Sequence, residues 1–284
     1  MRSARRKASG ASSSRGVDGV VLVTGAGSGI GEATALAFAA RGANVLCADV
    51  NGDGAGRTAA RCRSLGASDA TPFTVDVSDR DAMDLLAKEV NAEHGALDVL
   101  VNNAGVGMSG RFLDVSMDDW DWILSINLNG VIHGCHFFAP AMVERGRGHI
   151  VNVSSGLGYM PRATENAYVT TKAAVLALSR SLRADLGRDG VGVSAICPGV
   201  IATPIAGSTR FTGDSATGRR DSAVKLFAKI GHPPELVARK IVDGVERNRP
   251  VVPVGIEASA GWFLNRVMPL RLGDVFMRAS VGGV

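Results

Sequence analysis

Val20-Val21-Leu22-Val23-Thr24-Gly25-Ala26-Gly27-Ser28-Gly29-Ile30-Gly31 is the stretch whose reading decides the fold. A β-branched apolar run breaks at a glycine-rich turn, and residues 33–40 continue with helical composition. Strand, glycine turn and helix in this order is the context in which such a turn holds a dinucleotide. Backbone without side chains can approach a pyrophosphate, and the helix N-terminus favours its charge. The spacing is Gly25-x-x-x-Gly29-x-Gly31 rather than the commoner Gly-x-Gly-x-x-Gly. A tight turn without a ligand is the competing reading.

Outward from this unit the βα rhythm repeats. A strand over 44–48 ends in Asp49, eighteen residues beyond Gly31. A carboxylate there can accept the adenosine ribose hydroxyls and would repel a 2′-phosphate, which favours NAD over NADP. Ser28, just before Gly29, supplies no compensating basic group. A capping or turn aspartate is the alternative. A helix over 54–65 and a strand at 73–75 follow, then Asp76-Val77-Ser78-Asp79 opens a helix to about His94. Asp76 suits an adenine edge, and Asp79 a helix cap. A strand over 97–101 ends in Asn102-Asn103-Ala104-Gly105, whose amides either brace neighbouring strand ends or shape a cofactor pocket. A long helix is expected from about Met117 to Arg145, with Asn127 among Ile123, Leu124, Ile126, Leu128 and Val131. An amide in that position must find partners, and a satisfied core asparagine is the default reading.

The apolar run at 150–153 leads into Ser154-Ser155-Gly156, and further on Ala167-Tyr168-Val169-Thr170-Thr171-Lys172 opens a helix to about Leu186. Four apart on a helix, Tyr168 and Lys172 lie a turn from each other, an ammonium beside a phenol. A free phenol titrates near ~10, so an acid–base role at neutral pH needs roughly 3–4 kcal/mol in favour of phenolate. A cation, a helix N-terminus and a hydroxyl donor such as Ser155 can share that work. An ordinary surface pair is the bland alternative. A strand over 191–197 ends in Pro198-Gly199-Val200-Ile201-Ala202-Thr203. Residues 205–222, rich in Gly, Ser, Thr and Arg with Arg210, Arg219 and Arg220, predict a mobile loop over a pocket. A helix from about Pro234 to Arg247 and a strand over 251–254 complete the core. Strands at Val20, Val45, Phe73, Leu97, Ile150, Val193 and Val251 number seven and alternate with helices. The expected class is α/β: a Rossmann-like, doubly wound, mostly parallel sheet with helices on both faces.

Composition agrees with one large α/β domain: 284 residues, 46% apolar, 36 glycines. The net charge of +4 resides entirely in residues 1–18, where five basic side chains stand against Asp18. The rest is near neutral and shows no aromatic-studded basic patch, so no nucleic-acid partner is expected. Residues 1–18 read as a disordered tail, 19–255 as the domain and 256–284 as an extension. Cys47, Cys62, Cys135 and Cys197 show no ligand spacing and read as core thiols of a reducing, cytoplasmic compartment. No metal site is expected from the five histidines, although His133 and His136 share a helix face. No run reaches the ~18 apolar residues of a membrane span.

Thr24-Gly25-x-x-x-Gly29-x-Gly31, Asn102-Asn103-Ala104-Gly105, Asn127, Ser155, Tyr168-x-x-x-Lys172 and Pro198-Gly199 with Thr203 together resemble, in order and spacing, the classical short-chain dehydrogenase/reductase family over roughly 18–255. The resemblance implies hydride transfer between nicotinamide and a secondary alcohol or ketone. Tyr168 would be the general acid/base, Lys172 its pKa-lowering neighbour and a ribose ligand. Ser155 would hold the substrate oxygen, and Asn127 would anchor a water linking Lys172 to solvent. NAD would lie on Gly25, Ser28, Gly29, Ile30 and Gly31, with its ribose at Asp49 and its adenine at Asp76 and Val77. Asn103, Ala104 and Gly105 would flank it, and Pro198, Gly199, Val200, Ile201 and Thr203 would hold the nicotinamide. Ser154 would be structural. A homodimer or homotetramer is also implied. The extension at 256–284, with Trp262, Phe263, Leu264 and Met268 among arginines, reads as a lid or subunit contact, or as a basic amphipathic membrane-surface element. An apolar substrate such as a steroid, terpenoid or lipid chain would suit either. A catalytically silent NAD-binding regulator or scaffold of the same fold is the alternative function.

Overall fold

In the computed structural model, which describes residues 17–213 and 216–268, the chain alternates strand and helix. The elements are β1 (Val20–Thr24), α1 (Gly29–Ala39), β2 (Asn44–Asp49), α2 (Gly52–Ser64), β3 (Asp69–Thr74), α3 (Arg80–His94) and β4 (Val99–Asn102). A two-residue β5 (Met108–Ser109), α4 (Met117–Leu124), α5 (Gly130–Arg145), β6 (Gly148–Val153), α6 (Asn166–Leu186) and β7 (Val191–Pro198) follow. The chain continues with α7 (Ile205–Ser208), β8 (Arg210–Phe211), α8 (Ala216–Ile230), α9 (Pro234–Glu246), β9 (Val251–Val254) and α10 (Ile256–Val267).

Seven strands form one sheet in the order β3-β2-β1-β4-β6-β7-β9, and every pairing is parallel. The seven-stranded doubly wound sheet expected from the sequence is present, parallel throughout rather than mostly so. Successive strand side chains point to opposite faces. Val21 and Val23 therefore enter a core with Phe38 of α1, Ala59 of α2 and Ile241 of α9, while Leu22 enters a second core with Met83 of α3, Phe138 of α5 and Val175 of α6. Phe38 and Phe138 are fully buried, each contributing about 1.5–3 kcal/mol of transfer free energy. All four cysteines are buried and free. The order reverses between β1 and β4, which leaves a crevice beyond their C-terminal ends.

Three expectations change. The helix over 117–145 is interrupted by one wide turn at Ser125–Asn129, where the Gly130 N–H reaches back to the Ser125 carbonyl. The stretch 205–222 is not a structureless loop. It holds α7, β8 and the start of α8, and β8 pairs in parallel with β5 through Met108–Arg210 and Ser109–Phe211. Its polar composition hid this order. Arg210 stacks on Trp122 at 3.6 Å from the ring centroid and pairs with Asp119 at 3.1 Å, while the Arg219 side chain lies outside the described residues. Val17 packs into the core, so the fold begins within the stretch assigned to the tail. The tail over 1–16 and the extension beyond Met268 lie outside the described residues.

Candidate active site

The floor of the crevice is built by strand ends tied to one another. Thr24 Oγ1 accepts from the N–H groups of Asn103 (3.0 Å) and Ala104 (3.1 Å), and Asn103 Nδ2 donates to the Thr24 carbonyl at 2.9 Å. Asn102 Nδ2 donates to Asn152 Oδ1 (2.9 Å), whose Nδ2 donates to Ser179 Oγ (3.0 Å). Both amides thus brace strand termini, and Asn103 also presents the end of β4 to the glycine turn. Gly25 and Gly29 have φ of +65° and +56°, which L side chains adopt only with strain. A Cβ on Gly31 would stand 1.9 Å from the Gly25 carbonyl oxygen, so the turn closes onto α1 only with glycine there. Ser28 makes no side-chain cap, and Gly29 and Ile30 at the start of α1 line the crevice. Glu32 in that first turn is paired with Arg61.

Asp49 Oδ2 accepts from Gly27 N–H (2.8 Å) and Oδ1 from Asn51 N–H (2.8 Å), so the carboxylate holds the turn from β2. A carboxylate has about four acceptor positions, which leaves room for hydroxyls. Asp76 Oδ1 closes a turn onto Ser78 N–H and Oγ, and Asp79 caps α3 through the N–H groups of Asp81 and Ala82.

At the C-terminal ends of β6 and β7 Ser155, Tyr168 and Lys172 come to one wall of the crevice. Tyr168 and Lys172 lie in the first turns of α6, with Lys172 Nζ 5.7 Å from the Tyr168 ring centroid. Lys172 is 3% exposed and its Nζ donates to the Val153 carbonyl at 3.1 Å. Burial pulls its ammonium down to about 8. Burial likewise pushes the Tyr168 phenol up to about 12, against a hydrogen bond with Ser155 that works the other way, and Glu165 adds to the rise. Lys172 is not among the groups that move the phenol. Ser154 Oγ donates to the Lys172 carbonyl at 2.7 Å, a bracing role.

Asn127 is fully buried in the wide turn before α5. Its Oδ1 accepts from Val106 N–H (2.8 Å), while Nδ2 donates to the Val106 carbonyl (2.9 Å) and Thr171 Oγ1 (3.3 Å). Its amide thus fixes the segment after β4. It still meets Lys172 across Gly105, where a Cβ would lie 3.1 Å from Asn127 Oδ1 and 3.4 Å from Lys172 Nζ.

These groups face one cleft of roughly 2100 Å³, more than the ~300–1,000 Å³ of a single ligand site, so a dinucleotide and a second ligand fit together. Gly25, Ser28, Gly29, Ile30, Asp49, Asp76, Val77, Asn103, Ala104, Gly105, Ser155, Tyr168, Lys172, Pro198, Gly199, Val200, Ile201 and Thr203 all line it. Gly31 and Asn127 stand behind the wall. Thr203 closes over the turn, its Cβ 3.2 Å from where a Cβ on Gly29 would be. Among the described residues no three His, Cys, Asp or Glu side chains gather as a metal site.

A match to the short chain dehydrogenase family model spans residues 19–212, and this decides the family. The chain belongs to the short-chain dehydrogenases. Among the relatives of this short-chain dehydrogenase is a probable oxidoreductase EphD of Mycobacterium tuberculosis, 45% identical over 261 residues. The match covers 90% of this chain but 44% of that protein, so the chain spans less than half the length of this relative. A C alpha-dehydrogenase of Sphingobium sp. is 35% identical over 89% of this chain and 88% of that protein. A short-chain dehydrogenase/reductase of Burkholderia phymatum solved in complex with NAD superposes with a TM-score of 0.81, at 30% identity, covering 93% of this chain and 96% of that one. The chain thus has the Rossmann-type dinucleotide fold of this family.

Several wall residues of this short-chain dehydrogenase carried no signal in the sequence. Tyr159 donates from its hydroxyl to the Ala258 carbonyl (2.7 Å) and stands edge-on to Trp262, 5.1 Å between centroids, which docks α10 on the cleft. Glu257, in the first turn of α10, accepts from Val200 N–H through Oε1 (3.0 Å) and meets His232 Nε2 through Oε2 (3.1 Å). Burial alone would raise its carboxyl, but these bonds together hold it below the usual carboxylate range. Only chain folding brings residue 257 to residue 200. Among the described residues no helix is long and apolar enough to cross a membrane.

Proposed function

We propose that this short-chain dehydrogenase is NAD-dependent and moves hydride between the nicotinamide and the carbinol carbon of an apolar secondary alcohol or the matching ketone. The observation that carries the reading is the convergence of Ser155, Tyr168 and Lys172 on one wall of a cleft whose other end is apolar. The glycine turn without room for side chains and the uncapped start of α1 fit a pyrophosphate, and Asp49 fits a ribose free of 2′-phosphate. Bound there, the dinucleotide would supply the hydride acceptor and a positive ring charge.

In alcohol oxidation Ser155 holds the substrate oxygen and Tyr168 takes its proton. Lys172, still charged at neutral pH, supports the phenolate and reaches the ribose. Buried at about 12, the phenol needs added positive charge to release its proton, which couples proton transfer to a filled cofactor site. Asn127 holds the Val106 segment and the Lys172 side of the site in place. The apolar substrate class rests on Met108, Leu157, Phe227, Leu264 and Met268 in the cleft wall. This arrangement favours α10 as a wall of the substrate cleft over a membrane-surface element, although Phe263 is 65% exposed. A homodimer or homotetramer belongs to the same reading, and light scattering of the purified chain tests it.

The test is a screen of NAD reduction over secondary alcohols graded by size and polarity. Turnover should rise with apolar bulk, and Tyr168→Phe should lower it at least ~10²-fold while NADH still binds. Full turnover by Tyr168→Phe would remove the mechanism.

A further inference from the structure

Glu165 is the acidic side chain of the cleft that the mechanism leaves without work. It stands at the N-cap position of α6, three residues before Tyr168, and its backbone bridges to Gly110 beside β5. It lines the substrate end of the cleft together with Ser109, Arg162 and Thr164. It does not cap the helix with its side chain. The backbone is well used: its carbonyl accepts from Val169 N–H (2.8 Å) and its N–H donates to the Arg162 carbonyl (3.3 Å). The carboxylate differs, since among the described residues no group donates a hydrogen bond to it and it joins no ion pair. Burial raises its carboxyl, and the charge of Arg162 only partly offsets this. Glu165 is half-buried and its carboxylate oxygens stay open to the cleft, where a ligand hydroxyl can reach them.

We propose that Glu165 is a substrate-recognition residue that accepts a hydrogen bond from a second hydroxyl carried by the substrate close to the carbinol being oxidised. The substrate class narrows accordingly from apolar alcohols to apolar diols and hydroxy ketones. Glu165 stands at the start of α6 three residues before Tyr168 and both line the cleft, so carboxylate and phenol address neighbouring parts of one ligand, and the charge of Glu165 also raises the phenol. A hydroxyl donated to the carboxylate disperses that charge and eases proton release by Tyr168, which links recognition of the second hydroxyl to the proton step. Among the described residues none substitutes for that donor, and this discriminates against the deoxy substrate in the way a site with an unmet polar group does.

The inference rests on the dehydrogenase reading, and its test is kept separate from turnover. Paired alcohols, each with and without a hydroxyl one or two carbons from the carbinol, are titrated against the full chain loaded with NADH, a complex in which alcohol cannot react. The diol should bind roughly tenfold or more tightly than its partner, a preference that Glu165→Leu brings near one and Glu165→Gln reduces in part. NADH binding by each variant reports that it is folded. The same pairs assayed for NAD reduction should show the preference in kcat/KM, with the pH profile of Glu165→Gln displaced to lower pH. Equal binding of diol and monool by the wild type, or a preference unchanged in Glu165→Leu, overturns the role of Glu165. Absence of alcohol-dependent NAD reduction overturns the dehydrogenase reading, while the binding ratio still reports on Glu165.

Discussion

Lys172 is a buried charge whose desolvation costs the fold stability. Its ammonium titrates near 8 in the folded chain against 10.5 for a free lysine. Below pH 8 both folded and unfolded chains carry the proton and the full desolvation cost is present. Between 8 and 10.5 the unfolded chain holds a proton the folded one has lost, so stability rises with pH. Lys172→Met should therefore stabilise the unliganded fold by roughly 1–3 kcal/mol at pH 7, the lower figure allowing for the orphaned Val153 carbonyl. The gain should fade between pH 8 and 10.5 in denaturant titrations, and activity should be lost. Tyr168 acts oppositely and higher: its contribution is intact below pH 10 and lost as pH rises toward 12. Asp49 was legible as a carboxylate at a strand end, but not that it already accepts from Gly27 and Asn51. Asp49→Ala should loosen the turn and lower the NAD-over-NADP preference on the order of tenfold, measured as a kcat/KM ratio. A wild type that prefers NADP would refute the ribose role.

At the scale of elements, α10 is clasped to the end of β7. Gly199 has no room for a side chain because Glu257 Oε1 would lie 2.0 Å from its Cβ, and Gly255 turns into the helix with φ +100°. The segment that would hold the nicotinamide is thus tied to α10 through Glu257. Glu257→Gln weakens both bonds of the clasp, and KM for NAD and for apolar alcohols should rise together by about 3–10-fold, with a smaller change in kcat. A change confined to one ligand would show that the two walls are independent. The wide turn at Ser125–Asn129 belongs to this scale too. The sequence placed Asn127 inside a helix, yet the extra residue in the turn goes with an amide that satisfies Val106 rather than the helix. The order in 205–222 was hidden for a similar reason, because β8 is fixed by a partner strand a hundred residues earlier and by Arg210 on Trp122.

For the whole molecule, the parallel sheet sets a crevice at the reversal between β1 and β4, and the later segments roof it. The roof is α8 and α10, which contribute Leu226, Phe227, Ile230 and Leu264 to the cleft, with Met268 just beyond α10. Removing residues 256–284 should thus impair oxidation of large apolar alcohols more than small ones, measured as kcat/KM across a size series. An equal loss for all substrates, with a lowered Tm, would assign the segment to stability instead.

The sequence by itself determined the sheet, the glycine turn, the spacing of Tyr168 and Lys172 and the family. These are local patterns: strand and helix periods, positive-φ glycines and a four-residue helical repeat are written in consecutive residues. Tertiary structure alone decided which side chains are satisfied by one another and which are left facing the cleft. Asn127 against Val106, Glu257 against Val200 and the unmet carboxylate of Glu165 depend on groups far apart in the chain. The same is true of burial, which sets Tyr168 near 12 and Lys172 near 8. Desolvation is a property of everything packed around a group, and no short stretch of sequence contains it.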